Sequence, residues 1–377
     1  MFQYLVIINI LFLLALTSSE NQCTKDSRPI HREYFYVGGE YVFDASFKGS
    51  IMTGQMYVEH LTSPYGTQQT YPLVLIHGNA MTGTTWLNTP DGRPGWASYF
   101  LEQGYEIYIV DQSARGRSIW SPNDGNPVKI YSAEMMEQRF TATDFYQLWP
   151  QAALHTQWPG DNSSTKGRKG DPIFDAFYAS TIQLVTNEIS IQTMMQKAGV
   201  ALLDRIGAAI LLTHSQSGSF GWLIADQRPN LVKSILSIEP KGPPFREAVF
   251  TNISARAWGV ADIPLTYTPV INSSLDLLTV EIPSIDENRT ACILQQEPAR
   301  TLNNLMNLPI LIETAEASYH AMYDHCTVDF LRQAGVTLDF IRLEDVGIFG
   351  NGHIQMMEKN NIRIAEVLHQ WILKNVY

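Results

Sequence analysis

Two serines, Ser215 and Ser217, stand one residue apart in LLTHSQSGSFG (residues 211–221), after an apolar run and among small residues. A serine in a sharp strand-to-helix turn is held in a strained backbone that lifts its Oγ above the sheet. It is then ready to attack an acyl carbonyl. Ser215, where the apolar run ends, is the favoured nucleophile; Ser217, half a turn into the helix, is the alternative. The residues two before and two after such a serine must be small. Here they are Thr213 and Ser217 rather than glycines, with Gly218, Ser219 and Gly221 following to restore room. A bland reading also exists, in which both serines only cap the helix.

A serine hydroxyl needs a base. His353, in the glycine-rich stretch VGIFGNGHIQMMEKNN (residues 346–361), lies late in the chain, where a loop carries an imidazole to the strand ends. The third partner is a carboxylate between serine and histidine in chain order. Glu239 ends an apolar run in LSIEPKGPPF (residues 236–245) and is favoured; Glu313, Glu316 and Asp324, after the next run, are the alternatives. Oxyanion donors are expected from the backbone N–H of Gln216 and from the loop HGNAMTG, through Asn79 or, alternatively, Ala80. His320, Asp324 and His325, close together in EASYHAMYDHC, also suggest a metal. Two imidazoles and a carboxylate of this kind are more often surface or packing groups, and no metal is assigned.

These residues must be positioned by strands and helices. Apolar runs at 72–78, 106–111, 208–215, 232–240, 308–315 and 338–345 are mostly continuous rather than alternating, which predicts a parallel sheet covered on both faces. YFYVGGEYVFDA (34–45) and IMTGQMYVEH (51–60) alternate and predict an antiparallel pair leading into it. Helices are expected over 217–227, 319–334 and 355–374. The alternation predicts an α/β fold with a doubly wound, mostly parallel sheet. Residues 112–200 and 241–304 break the rhythm and are expected to form lids or pocket walls, a separate second domain being the alternative. Trp86, Trp96, Trp120, Trp149 and Trp158 either line the pocket or fill the core.

With these motifs in view, the chain resembles the α/β-hydrolase superfamily over most of residues 20–377. Within it, the chain is similar to a secreted esterase-type group of fungi and bacteria. The resemblance rests on HSQSG at the turn, EP followed by GPPF after the next strand, GNGH near the end, VDQSARGRS (110–118) with Arg115 and Ser118, RAWGVADIPLTYTP (256–269) and EASYHAMYDHC. It implies Ser215 as nucleophile, His353 as base and Glu239 as acid. The implied activity is carboxylic-ester hydrolysis through an acyl-enzyme, with a small-molecule ester as substrate and no cofactor. An amidase or peptidase using the same triad is the rival chemistry, and a catalytically silent binding protein on this fold is the rival class.

Residues 4–16 are apolar and precede small residues, so residues 1–19 read as a secretory signal peptide, an uncleaved anchor being the alternative. No later stretch is long enough to cross a membrane. Sequons at Asn162, Asn252, Asn272 and Asn288 agree with secretion. Of the three cysteines, Cys292 and Cys326 are the favoured disulfide pair, because Cys23 sits beside the mature N-terminus; pairings with Cys23 are the alternatives. The net charge of −11 over 377 residues argues against a nucleic-acid surface, and the 45% hydrophobic content is ample for a large core.

Overall fold

The computed structural model describes residues 29–122, 125–161, 163–284 and 286–377. The expected signal peptide, Cys23 and Asn162 lie outside the described residues. The two alternating segments and the six apolar runs become the strands of one sheet: β1 (His31–Asp44), β2 (Gly49–Thr62), β3 (Leu73–Ile76), β4 (Ile107–Asp111), β5 (Ala209–His214), β6 (Val232–Ile238), β7 (Ile310–Thr314) and β8 (Asp339–Arg342). The spatial order is β1-β2-β4-β3-β5-β6-β7-β8. β1 and β2 form the expected antiparallel pair, β2 meets β4 antiparallel, and the other six strands run parallel.

The continuous apolar runs have a direct packing cause. Val74 and Ile76 of β3 and Ala209 and Leu211 of β5 enter a core on one face of the sheet. Leu73, Leu75, Ile210 and Leu212 enter a second core on the other. Both faces are covered, so the central positions of these strands are apolar on either face, and the buried polar residues Thr213, His214, Glu313 and Thr314 sit toward the carboxyl ends of β5 and β7. Edge strand β8 is only partly buried.

Helices α1 (Trp96–Glu102), α2 (Glu188–Ile206), α3 (Ser217–Gln227), α4 (Asp324–Gln333) and α5 (Asn361–Asn375) cover the sheet. α3 keeps the expected bounds. The helix expected over 319–334 is broken: a 3-10 turn, Tyr319–Met322, precedes α4. The Ser318 hydroxyl caps that turn by accepting from the His320 N–H at 3.2 Å. The helix expected over 355–374 is likewise interrupted, between the 3-10 turn Gln355–Met357 and α5. The interruption holds Glu358, whose buried carboxylate accepts from Gly352 N–H at 3.0 Å and Asn351 Nδ2 at 2.7 Å and so ties down the His353 loop.

Cys292 and Cys326 are joined, linking α4 to an antiparallel hairpin of Thr279–Ile282 and Cys292–Gln295. Among the described residues no helix is long and apolar enough to cross a membrane. Asn252, Asn272 and Asn288 are exposed.

Candidate active site

At the end of β5, Ser215 adopts φ 56°, in the left-handed region that costs a non-glycine residue. Its N–H donates to Ile238 at 3.0 Å, and its carbonyl accepts from Lys241 at 2.8 Å and Gly218 at 3.0 Å, so both neighbouring segments hold the strained residue. The departures from glycine at 213 and 217 are absorbed locally. Gly221 lies where a Cβ would come 3.1 Å from Thr213 Cγ2, so the helix supplies the room that the strand side lacks. Ser217 is fully buried, and its Oγ donates toward Ile76 O at 2.7 Å and His214 O at 2.9 Å while accepting from His214 N–H at 2.8 Å. That hydroxyl is a structural tie. Ser215 instead borders a cavity of about 440 Å³, and among the described residues its Oγ has no hydrogen-bond partner.

His353 borders the same cavity. Its Nδ1 meets Glu239 Oε2 at 2.5 Å, and its Nε2 lies 3.4 Å from the Tyr319 hydroxyl. Glu239, itself at φ 45°, is fully buried; Ala315 N–H donates to Oε1 at 2.8 Å and the Ser318 hydroxyl to Oε2 at 2.7 Å. Burial pushes the Glu239 carboxyl well up, with Asp324 and Glu313 adding to the rise. Burial holds the His353 imidazole well below its ordinary value, with His214 and His320 adding to the fall. Unprotonated imidazole is the form a general base needs.

The other carboxylates named from sequence face elsewhere. Glu313 is buried and accepts from Gln355 Nε2 at 2.8 Å. Glu316 accepts from Gly350 N–H at 2.7 Å and borders a separate cavity. Asp324 accepts from the Thr314 hydroxyl at 2.6 Å and meets His320 Nδ1 at 2.9 Å. His320 Nε2 meets the Tyr323 hydroxyl at 3.0 Å, so both its ring nitrogens are engaged. His325 sits beside the Cys326 sulfur rather than with His320. The spacing that suggested a metal thus resolves into an Asp324–His320–Tyr323 relay, whose imidazole stacks on His353 at 4.6 Å and 7°.

The loop after β3 presses against the serine turn. A Cβ on Gly78 would stand 2.7 Å from His214 Nδ1 and 3.1 Å from Ser215 Cβ, so only glycine fits. Among the described residues the Asn79 and Gln216 N–H groups have no protein acceptor, whereas the Ala80 N–H donates to Asn79 Oδ1 at 3.2 Å. Arg115 is fully buried and joins the two segments: one nitrogen donates to Asn79 Oδ1 at 2.9 Å and to Gln216 Oε1 at 2.8 Å. Sequence reading found Arg115 only through the resemblance of VDQSARGRS. It did not find His214, whose ring lies tilted against that of His353 at 4.6 Å between centroids, nor Ser318.

Both long segments contribute to the cavity, the first through Tyr131, Phe140 and Leu184 and the second through Phe250 and Ala255. The tryptophans do not line it. Trp86, Trp96, Trp149 and Trp158 are buried in the body of the protein and Trp120 packs half-buried against the core, so the packing alternative is the correct one. Bulky indoles go where most apolar surface is removed from water.

No family model matches the chain. Across 371 residues, 98% of this chain and 97% of its relative, it is 46% identical to a probable secreted lipase, phiG, of Fungal sp. (strain ATCC 74256). A novel bacterial esterase of known structure superposes with a TM-score of 0.61 at 22% identity, over 92% of this chain and 96% of that one; this likeness concerns the fold.

Proposed function

The chain belongs to the α/β-hydrolase family of the fungal probable secreted lipase that it matches along its length, and on that premise we propose that it is a secreted carboxylic-ester hydrolase using Ser215, His353 and Glu239. The observation that carries this reading is one cavity bordered by a strained, unpartnered serine and by an imidazole whose far nitrogen is held by a buried carboxylate.

His353 Nε2 takes the Ser215 proton as Oγ attacks the ester carbonyl. The Asn79 and Gln216 N–H groups receive the oxyanion. The tetrahedral intermediate collapses, the C–O bond to the alcohol breaks, and His353 returns the proton to the departing oxygen. A water molecule, deprotonated by His353, then attacks the acyl-serine and releases the acid. Glu239 fixes the tautomer through Nδ1–H and stabilises the imidazolium formed in each half-reaction. Ser318 and the Ala315 N–H keep that carboxylate aimed. Arg115 acts on the oxyanion donors from behind, through the side chains of Asn79 and Gln216. Residues 112–200 and 241–304 serve as pocket walls, and the exposed sequons fit an extracellular chain.

The test is labelling of the mature protein with a fluorescent alkyl phosphonate, beside Ser215→Ala, Ser217→Ala and Glu239→Gln. The expected result is labelling lost in Ser215→Ala, retained in Ser217→Ala and slowed in Glu239→Gln. Labelling that survives Ser215→Ala would sink the assignment of the nucleophile, and a folded wild type that never labels would favour a binding protein.

A further inference from the structure

Three carboxylates and three cations border the cavity, but they are not all paired with one another. Each carboxylate is committed to a partner. Glu188 pairs with Lys241 at 2.7 Å and receives Gln216 Nε2 at 3.3 Å. Glu247 pairs with Arg256 at 2.8 Å. Asp262 accepts from Gln192 Nε2 and from the Arg256 N–H, each at 2.7 Å. Two further cations border the cavity, Arg139 and Lys129, and among the described residues neither has a carboxylate partner.

Arg139 is held in place by its turn and by an aromatic ring. It sits in Glu137–Thr141, a π-helical turn closed by the Ala142 N–H on Glu137 O at 2.9 Å. Such turns are rare and concentrate at functional sites. Here the turn presents two consecutive side chains to the cavity. The Phe140 ring stacks on His353 at 5.5 Å, and the Arg139 guanidinium lies 3.9 Å over the Phe250 ring. Phe250 contacts Tyr319 at 5.1 Å between ring centroids, and Tyr319 contacts His353 at 5.0 Å. A continuous aromatic wall thus runs from the base to the guanidinium and limits its rotamers without neutralising its charge. Lys129 lies nearby, 5.8 Å from the Tyr131 ring centroid.

We infer that the substrate of this site is an ester that also carries a carboxylate, held by Arg139 with Lys129 in support. A lone guanidinium presents one planar fork, which matches one carboxylate in bidentate geometry. The protein's net charge of −11 repels anions at long range, so the binding must be local. A neutral acyl chain would leave Arg139 and Lys129 without a carboxylate in direct contact. The inference rests on the hydrolase reading above and specifies its substrate class.

The test compares kcat/KM for ester pairs that differ only in the charged group. Monoethyl adipate and monoethyl pimelate are set against ethyl hexanoate and ethyl heptanoate. The butyrate ester of 4-hydroxybutanoate is set against butyl butyrate. Preference for the carboxylate in either series, tenfold or more, is expected in the wild type. That preference should fall at least tenfold in Arg139→Gln, recover in part in Arg139→Lys, fall less in Lys129→Gln and shrink in 0.5 M salt, where surface charges are screened at about 4 Å. No preference in the wild type, or one unaltered in Arg139→Gln, overturns the inference. Phosphonate labelling of the same preparations separates the two failures. A protein that labels but shows no preference loses only the carboxylate; a protein that does not label loses the hydrolase reading itself.

Discussion

Ser215 and Ser217 are chemically identical and two positions apart, yet their hydroxyls have opposite surroundings. Ser215→Ala is expected to lower kcat/KM by at least about 10⁴-fold with little change in stability, since its Oγ holds nothing together. Ser217→Ala should keep phosphonate labelling but lower unfolding stability by about 1–3 kcal/mol, because it strips a buried hydroxyl from Ile76 and His214. Denaturant titration beside labelling checks both. Glu239→Gln should cost about 10³–10⁴-fold in kcat, because an amide at the Nδ1 position favours the wrong tautomer. The pH dependence follows from the base. The lowered value of His353 keeps it neutral as the pH falls, so activity is lost only when the pH drops through that lowered value. The acidic limb of kcat/KM should therefore lie below the ordinary histidine value of 6.5, and a limb at or above it contradicts the assignment.

At the scale of elements, the site depends on three segments meeting: the turn after β5, the loop after β3 and the loop before α5. Gly78 is where the first two touch. Gly78→Ala is expected to lower kcat/KM by about 100-fold, since a shift of about 1 Å in the donor loop misplaces the oxyanion contacts. A variant that keeps wild-type kcat/KM would show that this loop does not bind the oxyanion. The interruption before α5 has a comparable purpose, because an unbroken helix over 355–374 would carry Glu358 away from Gly352 and Asn351. The break before α4 lets Ser318 serve at once as helix cap and as donor to Glu239.

For the whole molecule, the disulfide ties α4, which begins at the partner of His320, to the hairpin of Thr279–Ile282 and Cys292–Gln295. Gln295 and Gln333 reinforce that contact with hydrogen bonds of 2.9 and 2.8 Å. Cys292 and Cys326 are 34 residues apart, so replacing both with serine is expected to cost about 3–4 kcal/mol. For a chain of this size that lowers Tm by about 5 °C, readable by calorimetry. An unchanged Tm would mean that hairpin and helix stay docked without the link. The same topology brings residues from 112–200 and 241–304 together at one cavity, where Arg139 lies on Phe250.

The sequence alone determined what depends on near neighbours in the chain. Continuous apolar runs announced covered parallel strands, Pro240 marked the strand end at Glu239, and the small residues after Ser215 marked the turn. Strand ends of a parallel sheet share one edge, so the proposed order of serine, acid and histidine could be put forward before any distance was known. Only the tertiary structure decided what depends on register between distant segments. It separated Ser217 from Ser215 by their hydrogen bonds, and turned the apparent metal group at His320 into a relay stacked on His353. It sent the tryptophans to the core and brought Arg115 against the side chains of Asn79 and Gln216, the proposed oxyanion donors. Such contacts join positions far apart in the chain, Ile76 and Ser217 being 141 residues apart, and no local period or spacing encodes them.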